Sequence, residues 1–365
     1  MCMTVWSYTF FVPLTNCFKE KRMENIWTYL LFAVGILLIV KGGDWFVDGA
    51  VWVAEVTKIP KFIIGATVIS LATTLPEIIV STIAAIEGHG ILTSGIGNYI
   101  AESEDKVGMA IGNGVGSVIC NTALILAISI IFMPIAVDRK KFAPKGFLLL
   151  AAVCALFAFS FSGYLKFTGA IVLLLIFALY IVENIRSAKK EATAESDLKR
   201  PSTDKRSVIL NVLRVLIGAA CIVGGSELLV DNGSMIASSW GVSEAIIGVT
   251  LVAIGTSLPE LVTAITSLVK KQSSMSVGNV IGANVIDTTL ILAVCSFVYG
   301  GRLPVSAQNI YLDFPIAVLV TLIAVIPTVI CRKFNRWQGV IMLVLYIIYL
   351  IIVTLGFDKF FALFS

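Results

Sequence analysis

The stretch Gly65-Ala-Thr-Val-Ile-Ser-Leu-Ala-Thr-Thr-Leu-Pro-Glu77 recurs with few changes as Gly248-Val-Thr-Leu-Val-Ala-Ile-Gly-Thr-Ser-Leu-Pro-Glu260. Each copy sets hydroxyls, a proline and one glutamate inside a long apolar run. A carboxylate at bilayer depth costs roughly 2.5–3.5 kcal/mol on insertion scales, so it faces a partner, water or an ion. Thr73 and Thr74 precede Glu77 by four and three residues, which on a helix places all three on one face. Thr256, Ser257 and Glu260 repeat that spacing. Pro76 and Pro259 lack an N–H, and their rings clash with the carbonyls of Ala72 and Gly255. Carbonyls released at membrane depth are tolerated where they line a cavity or hold a cation. The two stretches therefore offer carbonyl, hydroxyl and carboxylate oxygens, the hard ligands of Na⁺ and Ca²⁺. One such stretch could also be a kinked helix whose glutamate bonds a neighbour. Its recurrence argues for a site.

Composition places the stretches in a membrane. Hydrophobic residues make up 58% of the chain and charged residues 14%, with a mean hydropathy of +0.96. A soluble domain has roughly 45–50% apolar and 25% charged residues. The net charge of +4 implies no nucleic-acid partner, because the basic residues fall between apolar segments. The cysteines (Cys2, Cys17, Cys120, Cys154, Cys221, Cys295, Cys331) are scattered, with no pair at metal-ligand spacing. The single histidine, His89, is expected in a glycine-flanked loop, which leaves no histidine relay across the bilayer.

Ten apolar segments follow one another near 26–49, 60–86, 107–134, 144–161, 167–185, 208–231, 243–269, 275–299, 309–330 and 337–356. Most reach the ~20 residues that a helix needs to cross the bilayer. The segments 107–134 and 275–299 are rich in Gly and Asn and are expected to be discontinuous helices. Residues 1–25 read as an N-terminal tail, too interrupted to span and without the charge order of a signal peptide. Met23 directly precedes the first span and is expected to be the natural start; an intact mass with Met1 at the terminus would refute this.

With the first N-terminus outside, the inside loops carry eighteen Lys and Arg (among them Lys58, Arg139, Lys145, Lys189, Lys270 and Arg332), and the outside loops and C-terminus only four; the cluster Lys19, Lys21 and Arg22 before the first span dissents. Positive charge stays cytoplasmic, so both termini are expected outside a cell (inner or plasma) membrane. Residues 187–206 are polar and charged and read as a short cytoplasmic linker. The loop 87–106, with Glu102, Glu104 and Asp105, reads as a solvated insertion.

The halves are copies. Asp48 and Asp231, Gly65 and Gly248, and Glu77 and Glu260 are each offset by 183 residues. Gly112-Asn-Gly-Val-Gly-Ser-Val-Ile-Cys-Asn121 matches Gly278-Asn-Val-Ile-Gly-Ala-Asn-Val-Ile-Asp287 at an offset of 166, the difference being the insertion at 87–106. Five spans per half is an odd number, so the second copy, 207–365, enters the membrane upside down relative to the first, 26–186. The fold class is therefore an all-α polytopic membrane protein of ten transmembrane helices in two inverted five-helix repeats. Secondary transporters have this plan, with the binding site near the midplane between copies.

Asn121 and Asp287 occupy one repeat position, each eight residues after an asparagine, Asn113 or Asn279. Those two asparagines beside glycine read as N-caps. Ser117 stands four before Asn121, where the second copy has Ala283. The convergent set is Glu77, Glu260, Asp287 and Asn121.

These motifs resemble the two alpha repeats of the cation/Ca²⁺ exchangers, most closely the prokaryotic sodium/calcium exchangers. The resemblance runs from Ile26 to the C-terminus. It implies a calcium/sodium antiporter with a central Ca²⁺ site at Glu77 and Glu260, completed by Asn121 and Asp287, and flanking Na⁺ sites. By position it implies hydroxyls from Thr73, Thr74, Thr256, Ser257 and Ser117, and backbone carbonyls from Ser70 and Ala253. It implies Ca²⁺ and Na⁺ as substrates, no cofactor, no enzymatic activity, and a monomer in membrane lipid. Alternation would come from sliding the first and sixth spans across a fixed core. Ala72, Thr74 and Ala283 depart from the pattern. Ala283 has no hydroxyl, which weakens one flanking Na⁺ site. The alternative is a proton- or potassium-coupled exchanger; a channel fits an inverted repeat poorly, and the elements of a hydrolase are missing.

Overall fold

A computed structural model describes residues 20–95, 98–194, 204–240, 255 and 257–356. The described chain is helical: α1 (Glu20–Thr57), α2 (Lys61–Thr73), α3 (Leu75–Ser94), α4 (Tyr99–Phe132), α5 (Arg139–Ser160), α6 (Phe167–Ala194), α7 (Lys205–Ser239), α8 (Leu258–Val269), α9 (Ser273–Val298), α10 (Asn309–Cys331) and α11 (Arg336–Leu355). Counting α2 with α3 as one broken span, and α8 as the described end of another, these make the ten spans of two inverted repeats. Nine of the helices are long and apolar enough to cross a bilayer.

Short ties confirm that the chain alternates between two ends. At one end β1 (Tyr164–Lys166) pairs antiparallel with β2 (Arg302–Pro304). At the other, Ala136 pairs with Lys333. The basic segments at 58–61, 139–145 (the first turns of α5) and 332–336 belong to the second end.

α4 and α9 form the centre, with most of their residues buried. α2 lies across α9 so closely that a Cβ on Gly65 would meet the carbonyl of Met275, and one on Gly278 the carbonyl of Phe62. With no hydrophobic drive between helices in lipid, such small residues are what let backbones pack. α1 and α7 run antiparallel at the periphery, meeting at Gly35 with Gly225 and at Gly42 with Gly218, at seven-residue spacing. A Cβ on Gly42 would stand 2.9 Å from the Gly218 carbonyl oxygen. Their other faces (Ile36, Leu37, Val40, Leu216, Ile217) are exposed, as suits lipid.

Several expectations change. The segments 107–134 and 275–299 are not discontinuous: α4 and α9 run through, each widened by a π-helical turn, Asn121–Leu126 and Ile286–Ile291. The interruptions lie at the prolines instead. The presumed loop 87–106 is mostly helix, because α3 and α4 extend and pair. Lys106 binds Glu87 at 2.8 Å, and the Ser103 hydroxyl donates to the Gly88 carbonyl at 2.7 Å. His89 is consequently helical, its Nδ1 3.1 Å from the Tyr299 carbonyl oxygen. Glu102, Glu104 and Asp105 sit on the first turns of α4. The linker is shortened by α6, which continues to Ala194. α1 begins at Glu20, so residues 20–25 are helix rather than tail; residues 1–19 lie outside the described residues.

Candidate functional site

Thr74 closes α2 with φ −86° and ψ −2°, and Ser257 precedes α8 with φ −92° and ψ 7°. Each is the residue two before the proline, which then sits in the first turn of the next helix, where its missing N–H does no harm. The break puts Glu77 and Glu260 in the first turns of α3 and α8, where a helix N-terminus favours a carboxylate. It also places Thr73 and Glu77 on successive helical segments, with Thr74 between them. The Thr73 hydroxyl is shared among the carbonyls of Ile69 (3.2 Å) and Ser70 (3.3 Å) and Asn279 Oδ1 on α9 (3.4 Å).

Glu77, Glu260, Asp287 and Asn121 are all buried, with Ser70, Thr73, Thr74, Ser117 and Ser257. The Thr74 hydroxyl donates to Glu260 Oε1 at 3.3 Å, joining the two repeats. Asn121 Nδ2 donates to Asp287 Oδ2 at 3.5 Å, joining the two π turns. The three carboxyls lie within electrostatic reach of one another. They do not form a closed cage: among the described residues no three His, Cys, Asp or Glu side chains gather tightly enough to hold one metal ion. Hydroxyl, amide and backbone oxygens would have to share the coordination. Thr256 and Ala253 lie outside the described residues. The Ser70 carbonyl, expected as a ligand, already accepts from the Thr74 N–H at 2.9 Å and the Thr73 hydroxyl at 3.3 Å.

Seven oxygens here are buried without a hydrogen bond: both of Glu77, Glu260 Oε2, Asp287 Oδ1, Asn121 Oδ1, Ser117 Oγ and Ser257 Oγ. At about 1–3 kcal/mol for each unmet buried polar group, the cluster is costly to leave bare. No arginine or lysine satisfies it, since the ion pairs found among the described residues lie elsewhere. A cluster of acceptors sealed in low dielectric with no fixed cation is suited to mobile cations.

Asn113 and Asn279 are not N-caps. Asn113 Nδ2 donates to Ser81 Oγ at 2.9 Å and to the Glu77 carbonyl at 3.4 Å, which holds α3 against α4. Asn279 Nδ2 donates to Thr263 Oγ1 at 2.8 Å, and that hydroxyl donates to the carbonyls of Pro259 (2.9 Å) and Glu260 (3.0 Å). Each asparagine thus fixes the helix that opens with a site glutamate. Asn284 Nδ2 to Thr122 Oγ1, at 2.7 Å, ties α9 to α4 beside the π turns. Sequence reasoning missed these supports, although the recurrence of Asn113 at 279 was a signal: a cap for one helix start need not be copied with the site.

Comparisons with known proteins identify the family. The profile of the sodium/calcium exchanger protein family matches residues 27–186 and 210–355. An uncharacterized membrane protein of Methanocaldococcus jannaschii is 33% identical, over 89% of this chain and 97% of its own. The sodium/calcium exchanger MaX1 of Methanosarcina acetivorans is 25% identical over the same shares. A structure of the sodium-calcium exchanger NCX_Mj, soaked with Na⁺ and Sr²⁺, superposes with a TM-score of 0.72 at 31% identity, covering 89% of this chain and 98% of that one. This chain belongs to the sodium/calcium exchanger protein family.

Proposed function

We propose that the protein exports Ca²⁺ in exchange for Na⁺ by alternating access through the cluster of Glu77, Glu260, Asp287 and Asn121. The observation that carries this reading is the seven unpaired buried oxygens in a site without a fixed cation. Na⁺ and Ca²⁺ are similar in size and share oxygen ligands, so one cluster serves either ion but not both together. An empty cluster of buried carboxylates is the state least able to cross, and a cluster loaded with either ion has its charge offset. Exchange then follows without covalent chemistry.

Glu77 and Glu260 would carry the Ca²⁺ charge, with Asn121 and Asp287 completing the ring. Thr73, Thr74, Thr256, Ser257 and Ser117 would supply hydroxyls, and Ser70 and Ala253 carbonyls. Use of the Ser70 carbonyl requires the Thr73 hydroxyl to turn away. The repeats would be 26–186 and 207–365, joined by a cytoplasmic linker, with both termini outside the plasma membrane. That orientation rests on the eighteen Lys and Arg of one set of loops.

The deciding experiment is radioactive calcium uptake into proteoliposomes loaded with Na⁺ and diluted into choline, K⁺ or Na⁺ buffer. Uptake that needs an outward Na⁺ gradient and is equal in choline and K⁺ supports the proposal. Uptake that ignores Na⁺ and follows an imposed pH gradient, or requires K⁺, replaces it with the proton- or potassium-coupled reading.

A further inference from the structure

The inverted repeat gives every contact a counterpart, and one set of counterparts is unequal. α1 and α7 both pack against α8. Among the described residues neither makes more than passing contact with α3, the helix that corresponds to α8. Gly43 of α1 admits α8 so closely that a Cβ there would stand 2.8 Å from Thr266 Oγ1 and 3.0 Å from Val262 Cγ1. The residues 183 before Val262 and Thr266 are Ile79 and Ile83, and these are 54% and 48% exposed. The α1–α7 pair therefore covers the half of the membrane between Glu260 and Lys270 and leaves the half between Glu77 and Ser94 uncovered by it.

A charge cluster holds the covered half. Lys270, just past α8, places Nζ 2.6 Å from Asp48 Oδ1 and 3.4 Å from Asp44 Oδ1, and donates to the Asp44 carbonyl at 2.9 Å, all on α1. The repeat counterparts of Asp44 and Asp48 are Glu227 and Asp231 on α7. The counterpart of Lys270 is Glu87. Acid corresponds to acid there, so among the described residues the opposite half has no equivalent lysine clasp. Glu87 is bound by Lys106 instead, and among the described residues neither Glu227 nor Asp231 is in an ion pair.

We infer that Lys270 is a one-sided latch: its bonds to Asp44 and Asp48 hold the α1–α7 pair on α8 and bias the protein toward the conformation open on the α3 side. In a two-state protein, an interaction made in one state shifts the populations by its differential free energy. The latch positions a moving element and touches no transported ion. The direction of opening rests on the inverted repeat alone; the transport readout below rests on the exchange reading.

The test uses full-length protein in lipid nanodiscs, with nitroxides at the exposed positions Thr57→Cys on α1 and Ile330→Cys on α10. The accessible cysteines are replaced and buried Cys120 and Cys295 retained. Electron–electron distance measurement is expected to give one dominant separation in the parent. Lys270→Met and Asp48→Asn are each expected to add a second, and Lys270→Asp combined with Asp48→Lys to restore the first. A distribution unchanged in both single variants overturns the latch. In proteoliposomes Lys270→Met is expected to shift the half-saturating Ca²⁺ by about three- to tenfold, weaker at the α3-side face and tighter at the other. Equal weakening at both faces would mean a damaged site and also overturn it. A second distance in a protein whose parent carries no Na⁺-driven Ca²⁺ flux would refute the exchange reading and leave the latch standing.

Discussion

Thr74 and Ser257, 183 residues apart, break their helices in nearly the same conformation, φ −86°, ψ −2° and φ −92°, ψ 7°. Only Thr74 donates a hydrogen bond to a site glutamate in this conformation, at 3.3 Å to Glu260 Oε1, while the Ser257 hydroxyl has no partner. The repeat is thus symmetric in backbone and asymmetric in bonding. Thr74→Val removes that bond and keeps the shape. It should weaken Ca²⁺ binding about tenfold, the worth of a hydrogen bond to a charged group, while Thr74→Ser should bind nearly as the parent does. Isothermal titration of both variants checks this.

Glu77→Gln and Glu260→Gln should each abolish Ca²⁺ flux. Their effect on stability has the opposite sign. Removing an unpaired buried charge relieves a desolvation penalty, so both variants should melt higher than the parent in calcium-free, sodium-free detergent. The parent should gain about 2.7 kcal/mol at Ca²⁺ a hundredfold above its dissociation constant, and the variants little. A parent that melts equally with and without Ca²⁺ and Na⁺ would refute the site.

Asn279→Leu should be worse than its distance from the ions suggests. It removes the amide that donates to Thr263 Oγ1 and one of the three acceptors within reach of the Thr73 hydroxyl. A loss of about 1 kcal/mol for the missing hydrogen bond is expected, read as a lower melting temperature, with weaker Ca²⁺ binding because α8 is no longer fixed. Asn113→Leu should act the same way through Ser81.

Ala283→Ser adds the hydroxyl that its repeat counterpart Ser117 presents without a hydrogen bond. Half-saturating Na⁺ should fall about three- to fivefold, on the order of one hydrogen bond, with Ca²⁺ affinity little changed. Sodium titration of calcium uptake reads the result.

Gly65→Ala has no such latitude. Its Cβ meets a backbone carbonyl of α9, which cannot swing aside as a side chain can. Overpacking of this kind costs about 1–3 kcal/mol or more, so expression and melting temperature should both drop.

Hydropathy alone made the ten spans legible, because in lipid each backbone group must be met within its own helix. The same index misjudged residues 87–106. Polarity marks exposure to water, and a helix that extends past the bilayer is as polar as a loop. That Glu77, Glu260, Asp287 and Asn121 are buried together was legible because ionisable and amide groups are rare at this depth and here came in pairs. Asn113 and Asn279 were misread because asparagine beside glycine is an ordinary helix start. Only the packing of α3 on α4 and of α8 on α9 shows what their amides reach. The Gly- and Asn-rich character of 107–134 and 275–299 pointed to broken helices, yet those residues serve close packing and π turns.

The π turns at Asn121–Leu126 and Ile286–Ile291 carry a history. A π turn is an α-helix holding one residue too many, and such turns persist chiefly where the bulge serves a site. Here the two π turns lie within one residue of each other in the repeat alignment. The simplest account is a single insertion in an ancestral five-helix unit, fixed before that unit was duplicated. The π turn would then be older than the paired buried cluster it now belongs to, and the ancestor would have assembled that cluster from two separate chains lying in opposite orientations.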